Sequence, residues 1–468
     1  MKLIVIGGGV SGLAAAHRAV ELARERDAPL TLTVLEARDR LGGNIHTERS
    51  DGFLVETGPD SFLSEKPWAL ALCRRLGVED RLVRTDDRFR KTFVWHGGRL
   101  HPLPDGFQLL APTRLRSFAA SPLFSWRGKL RMALDLVLPR GGVAADESLG
   151  AFVRRRLGEE ALTRVAQPLV AGIYTADPDA LSLAAAIPRF RELEQRHRSV
   201  ILGLWRAARR APEAGTSGAR WSLFVTFRDG MGELVETLAA RLPAGAVSLK
   251  QRALDLTRAG SRWRVTIGDG AHLDADRVIV ATEAHAAASL FRGLDGELET
   301  LLRGIPYASS ATVSLGFRRA DIPHPLDGFG FVVPRTEGRA ILACTFSSVK
   351  YPGRAAPDHA LLRCFVGGAL DAAGADAADA TLAARAREDL AAALGVRAAP
   401  VLERVARWPA SMPQYHLGHL ERVEAIARRL EALPGLGLAG GAYRGVGIAD
   451  CVHSGETAAA RAFESSER

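Results

Sequence analysis

The alternation of hydrophobic and polar positions predicts most elements of this chain before any chemistry is considered. Residues 3–6 are a short continuous apolar run, as expected of a buried parallel strand. Gly7-Gly8-Gly9-Val10-Ser11-Gly12 follows, then an alanine-rich helical stretch. A second strand over residues 30–35 ends on Glu36, with Gly42-Gly43 beyond it. Apolar spacing predicts a helix over 66–83. Residues 92–95 and 99–103 predict a hairpin around His96-Gly97-Gly98. From Phe107 to Leu204 the period is helical: an amphipathic stretch at 126–138, then 148–157, then 160–170, which Pro168 should interrupt. Residues 211–220, rich in Gly, Pro, Ala and Ser, predict an exposed loop.

Strand character returns at 223–227 and leads into a helix to about Leu242. Residues 247–249, 253–257 and 262–267 read as an antiparallel meander, and 276–282 as a buried strand. Residues 311–318, 340–346 and 361–367 alternate like an antiparallel sheet. Residues 371–380 read as a loop, 381–394 as a helix and 436–439 as a strand. Glycines 440, 441, 445 and 447 then precede a helix that starts near Val446–Ile448 and continues to the end. The expected class is α/β: a discontinuous Rossmann-like domain (1–90, 223–300, 407–468), a helical lobe (91–222) and a mixed-sheet domain (301–406).

Composition narrows the function classes. Hydrophobic content of 47% and charged content of 25% are ordinary for a globular protein of 468 residues. The chain has no run of about 18 uncharged apolar residues, so no membrane-spanning helix is expected. The first apolar stretch reads as a strand broken by glycines rather than as a signal peptide. Cys73, Cys344, Cys364 and Cys451 are far apart and form no CxxC pair, which predicts reduced thiols and a cytoplasmic setting. His416 and His419 lack partner ligands, so no metal is expected. Net charge is +9, with only six lysines among 62 basic residues. The arginines are dispersed and no basic arm exists, which argues against nucleic acid. The 107–138 region mixes Phe, Leu and Trp with Arg and Lys. It reads either as an interfacial helix making peripheral membrane contact or as helices packed in a substrate lobe.

The first 43 residues form a βαβ unit for a dinucleotide. Gly7 permits the tight turn, Gly9 lets backbone approach a pyrophosphate, and Gly12 lets the helix pack on the strand. The helix start offers free N–H groups to phosphate. Glu36 stands where it can accept hydrogen bonds from ribose hydroxyls. The tail Glu36-Ala37-Arg38-Asp39-Arg40-Leu41-Gly42-Gly43 suggests FAD rather than NAD.

Several longer segments are more specific: EARDRLGGNIHT (36–47), ETGPDSFL (56–63), AGIYTAD (171–177), EQRHRSVILG (194–203), RWPASMPQYHLGH (407–419) and GAYRGVGIADC (441–451). With these, the chain resembles the oxygen-dependent porphyrinogen oxidases of haem biosynthesis, within the flavin-containing amine oxidase superfamily. The resemblance implies FAD held by Gly7, Gly8, Gly9, Val10, Ser11, Gly12, Glu36, Ala37, Gly42 and Gly43. It also implies a turn at Gly58, Pro59, Asp60 and Ser61 against the flavin, and the Ala253 backbone near the adenine. Trp408 would lie near the ring, and Val446, Gly447 and Ile448 at its pyrimidine end. Gly172, Ile173, Tyr174 and Met412 would line the substrate.

The implied reaction is six-electron oxidation of a porphyrinogen by dioxygen, with hydride passing to the flavin, hydrogen peroxide as by-product and the product passing to a ferrochelatase. No acid–base residue is assigned. Protoporphyrinogen-type members often carry an arginine just before the strand that here reads Phe93-Val94-Trp95. This chain has Thr92 there, with Arg90 and Lys91 upstream, which leans toward coproporphyrinogen III over protoporphyrinogen IX. A flavin amine oxidase is the more distant alternative; some of its members link a cysteine covalently to flavin, but Cys451 lies at a helix start rather than in such a context and reads as a buried, inert thiol. Oligomeric state stays open.

Overall fold

The structure is a computed structural model that describes residues 1–108, 111–112, 114–142, 146–210 and 223–464. The loop expected at 211–220 lies outside the described residues. A five-stranded parallel sheet forms the base, in the order Val247–Ser248, Thr31–Leu35, Lys2–Ile6, Arg277–Val280, Leu436–Leu438. Its strands come from the start, middle and end of the chain, so the discontinuity expected from sequence is real. Lys2–Ile6 and Arg277–Val280 are largely apolar and almost fully buried because both faces of the sheet are covered, one by helices and the other by an antiparallel meander with its flanking helices.

Helix Val10–Glu25 and the C-terminal helix Ile448–Glu464 pack side by side on this sheet. Glycine makes both contacts close. A Cβ on Gly12 would lie 1.9 Å from the Gly7 carbonyl oxygen, and one on Gly455 would lie 2.1 Å from the Ser11 carbonyl oxygen.

The antiparallel meander exists, but with different members. Residues 247–248 leave it for the parallel sheet, and its strands are Ala253–Ala259, Arg262–Ile267 and His272–Ala275. A two-residue strand carries too little periodicity to reveal its partner. A seven-stranded mixed sheet runs in the order Leu402–Pro413, Tyr307–Arg318, His359–Gly367, Ile341–Phe346, Gly330–Val332, Thr92–His96, Arg99–Pro102. All its pairs are antiparallel except Gly330–Val332 with Thr92–His96.

The helix expected over 66–83 stops at Leu76, where Gly77 takes φ 75° and ends it. Pro168 does not break its helix. A π turn over Leu162–Ala166 precedes it, and Pro168 sits in the first turn of Gln167–Tyr174, where its missing N–H costs nothing. The helical lobe has its own core, which includes Phe152, Val165, Val170, Phe190 and Leu204.

Candidate functional site

The glycine loop and the Gly42-Gly43 turn face each other at the carboxyl end of the parallel sheet. Gly42 N–H donates to Gly8 O at 2.8 Å, and Gly9 and Gly42 form an isolated parallel bridge. Glu36, buried at the end of its strand, accepts Gly8 N–H on Oε2 and Arg38 N–H on Oε1, both at 2.8 Å. A carboxylate has about four lone-pair sites, so two stay open for ribose hydroxyls. Ala37 continues this loop. Ala253 opens the meander two residues after Gln251, whose N–H donates to Glu36 O at 2.8 Å.

Gly9 differs from its neighbours. A Cβ there would meet only the Gly43 Cα, at 3.9 Å. Nothing inside the protein requires glycine at this position; the open space in front of it can serve as a cradle for phosphate. Val10 and Ser11 start the helix behind that cradle.

Beside it lies a cleft of about 230 Å³ lined by Arg38, Arg40, His46, Glu48, Thr57, Arg407, Trp408 and Ser411. Arg40 wraps the glycine turn, donating from Nη2 to Gly43 O (2.9 Å) and from Nη1 to Leu41 O and Ile45 O. Arg38 and Arg40 bring positive charge to the cleft, which suits a diphosphate; the Arg407 guanidinium is engaged by Asp379 and the Ala377 carbonyl. Arg38 and Arg40 carry no role in the sequence reading; their charge beside Gly42-Gly43 is the signal that marks them. Burial, then Arg40, lowers the His46 pKa.

The turn at 57–61 closes the other side. A Cβ on Gly58 would lie 1.7 Å from Asn44 O and 3.5 Å from the Trp408 ring, whose Nε1 donates to Thr57 O at 2.8 Å. Pro59 follows, then Asp60, which accepts Ser61 Oγ at 2.7 Å and pairs with Lys350 at 3.0 Å. Burial opposes ionisation of Asp60, but Lys350 and Arg363 outweigh it and hold the carboxyl well below the usual range.

At the C-terminal segment, Tyr415 Oη donates to Gly441 O (2.6 Å) and accepts Gly445 N–H (2.8 Å), while its ring stacks on His419. Cys451 N–H bonds back to Gly447 O at 2.9 Å, so the N–H groups of Val446, Gly447 and Ile448 lie ahead of the helical ladder. Asp450 in that first turn pairs with Lys66 at 2.6 Å. Burial pushes the Cys451 thiol up to about 11, which keeps it protonated and argues against a nucleophilic, flavin-linking role.

Gly172, Ile173 and Tyr174 end their helix against the mixed sheet. A Cβ on Gly172 would meet Val332 and Ala343 at 3.8 Å, an ordinary contact, so this packing does not demand glycine. Ile173 is half exposed. Tyr174 Oη donates to Ala186 O at 3.3 Å, and Gln414 Nε2 ties Tyr174 O to Met412 O, both at 3.1 Å. Tyr174 and Met412 therefore meet through Gln414, which sequence reasoning missed. Lys91 and Arg90 pair with Asp327 (2.7 Å) and Asp87 (3.5 Å). Among the described residues no cluster of three metal-ligating side chains exists, and no helix is long and apolar enough to cross a membrane.

The cradle before Gly9, the open acceptor sites on Glu36 and the arginine-lined cleft fit FAD, and the fold and site together define a flavoprotein. The model of the flavin containing amine oxidoreductase family matches residues 10–462, and the chain belongs to that family. It is 37% identical over 464 residues to the coproporphyrinogen III oxidase of Bacillus subtilis (strain 168), covering 98% of this chain and 97% of that one. It is 35% identical to the protoporphyrinogen oxidase of Bos taurus, covering 98% of each. A crystal structure from Exiguobacterium sp. 255-15 superimposes with a TM-score of 0.87 at 31% identity, over 100% of this chain and 99% of that one. The cofactor is FAD.

Proposed function

We propose that this chain oxidises a porphyrinogen to a porphyrin at the expense of dioxygen, and that its substrate is coproporphyrinogen III. The observation that carries the reading is the 37% identity to the Bacillus subtilis enzyme across nearly the whole of both chains. Thr92, in place of the arginine of protoporphyrinogen-type members, supports the same choice.

When bound, FAD accepts hydride from the macrocycle and returns the electrons to dioxygen. Three rounds remove six electrons, and three dioxygen molecules leave as three hydrogen peroxides. The chain's own part is binding, orientation and exclusion of water. Glu36 and the glycine loop hold the dinucleotide end, and Arg38 and Arg40 supply charge for the diphosphate. The Gly58-Pro59 turn, Trp408 and the N–H groups at 446–448 hold the ring. Gly172, Ile173, Tyr174 and Met412 form a largely apolar wall for a flat macrocycle, with no carboxylate among them.

Relative kcat/KM for coproporphyrinogen III and protoporphyrinogen IX, followed by porphyrin fluorescence, tests the substrate. Two extra propionates can add charge-assisted hydrogen bonds, so a preference of about tenfold or more for coproporphyrinogen is expected. A preference for protoporphyrinogen overturns the assignment.

We also propose that the helical lobe rests on an anionic membrane surface. Trp126, Leu130, Leu134 and Val137 lie on one helical stripe yet are 72%, 68%, 47% and 67% exposed. Arg127 and Lys129 flank them, with Lys129 Nζ 4.7 Å over the Trp126 ring and bonded to Ala119 O, while Arg131 turns inward onto the carbonyls of Arg154, Arg155 and Arg156. A large exposed apolar stripe with basic flanks is the pattern of an interfacial helix. The protein should co-sediment with phosphatidylglycerol vesicles at physiological salt, and Trp126→Glu/Leu130→Glu should abolish this. No sedimentation of the parent protein removes the proposal.

A further inference from the structure

The Thr57 carbonyl oxygen is met by three side-chain donors from three adjacent strands. Trp408 Nε1 comes from Leu402–Pro413 at 2.8 Å, Thr312 Oγ1 from Tyr307–Arg318 at 3.0 Å, and Arg363 Nη2 from His359–Gly367 at 3.4 Å. Arg363 Nη2 also donates to Gly58 O. A carbonyl oxygen has two lone pairs, so this one is saturated, and bonds that converge on one peptide polarise it cooperatively.

The other end of the same peptide is the Gly58 N–H. Gly58 is buried, and among the described residues its N–H has no acceptor. Buried backbone donors are almost always paired, so an orphan here points to a ligand. The peptide is trans; with its C=O toward the sheet, its N–H faces away from the sheet.

Behind the turn sits a small pocket lined by Glu56, Asp60, Ser314, Tyr351, Arg354 and Arg363, among others. Arg363 is buried and its Nε has no partner; the buried Tyr351 hydroxyl has none either. Lys350 pairs with Asp60 at the edge of this group. Lys350, Arg354 and Arg363 thus face two carboxylates, and burial favours the neutral form of Glu56. Thr57 lines the arginine-lined cleft on one side, and its neighbours Glu56 and Asp60 line this charged cavity on the other.

We infer that the Thr57–Gly58 peptide is a fixed, polarised dipole presented to the flavin, and that Arg363 and Asp60, acting from behind it, set the reduction potential of the bound flavin in opposite directions. Both are positioning residues: they act through the peptide and their field. A preorganised dipole and a buried positive charge stabilise negative charge that develops on reduction. The inference rests on FAD as the cofactor and on the 57–61 turn bordering its ring; it is independent of the substrate.

The test uses the FAD-loaded full chain without porphyrinogen. The flavin midpoint potential and the sulfite dissociation constant are measured for Arg363→Gln, Asp60→Asn and Thr312→Val. Arg363→Gln should lower the potential and weaken sulfite binding on the order of tenfold, the scale of one unit charge lost near a partly buried site. Asp60→Asn should raise the potential and tighten sulfite binding, because Lys350 is left uncompensated. Thr312→Val, which removes one neutral donor, should lower the potential by less than Arg363→Gln does. A purely structural role predicts changes of one sign, so shifts of equal sign, or none, for the two charge variants overturn the inference. If Arg363→Gln does not retain FAD, Asp60→Asn and Thr312→Val carry the test: shifts of opposite sign support the inference, and unmoved potentials overturn it. Porphyrinogen turnover by the parent protein is measured separately, so failure of the proposed substrate leaves this result standing.

Discussion

Gly12→Ala is expected to strip FAD from the protein and to destabilise the FAD-free fold as well. The added Cβ would stand 1.9 Å from the Gly7 carbonyl oxygen and 3.3 Å from Val5 Cγ1. The nearest obstacle is backbone, which cannot rotate aside. Helix Val10–Glu25 cannot retreat either, because Gly455 of the C-terminal helix already brings that helix against the Ser11 carbonyl. Overpacking of this kind costs about 1–3 kcal/mol or more, which is roughly 5- to 150-fold in affinity if cofactor binding absorbs it.

Gly9→Ala separates the two effects. Its Cβ would meet only Gly43 Cα at 3.9 Å. The melting temperature of the FAD-free protein should therefore match that of the parent, while FAD is still lost. Flavin absorbance of the purified proteins, FAD titration by fluorescence and melting of the stripped forms check this. FAD retained by Gly9→Ala would show that the space before Gly9 is not the pyrophosphate cradle.

Asp135→Ala should loosen the helical lobe while leaving flavin absorbance intact. Asp135 and Arg156 are fully buried. The carboxylate accepts Arg156 Nε at 2.6 Å, Ser199 Oγ at 2.6 Å and Ile201 N–H at 2.9 Å. Arg156 donates further to the carbonyls of Asp135, Pro139 and Arg198 at 2.7–2.8 Å. Removing the acid leaves a buried guanidinium whose remaining carboxylate is Glu194, at 3.4 Å. Breaking a buried pair from one side costs about 3–5 kcal/mol. The Glu194 contact places the expectation near the lower end. Asp135→Leu/Arg156→Met removes both charges and should be milder than either single change. Limited proteolysis of the lobe, followed beside flavin absorbance, resolves local from global loss. A double variant weaker than Asp135→Ala would contradict this account.

How far the sequence reaches differs between these sites. The unit ending in Gly42-Gly43 is legible because its requirements are local: a turn, a close approach and a strand ending in an acid follow one another within 43 residues. The strand Arg277–Val280 is legible because a continuous apolar run needs burial on both faces. The partner of Val247–Ser248 is not legible, since two residues cannot specify a register. Pro168 misleads because a proline breaks a helix only where the helix needs the missing N–H, and the π turn before it removes that need. Gln414 and Tyr415 stand in a specific segment, yet their roles depend on partners outside it: the Tyr174 carbonyl, 240 residues away, and the Gly441 carbonyl, 26 residues on.

The sequence by itself determined the glycine-rich strand–helix–strand unit, four of the five parallel strands and the membership of the chain in a flavin-dependent family. Those features are written in short-range backbone geometry, where glycine and a terminal acid are needed whatever surrounds them. Only the tertiary structure decided which face of the 126–137 stripe is left uncovered, and that Trp408, Thr312 and Arg363 meet on one carbonyl. Periodicity defines a face but not what covers it. A lone arginine in an apolar strand has no local signature, because its partners lie about 305 residues earlier in the chain, at Thr57 and Gly58.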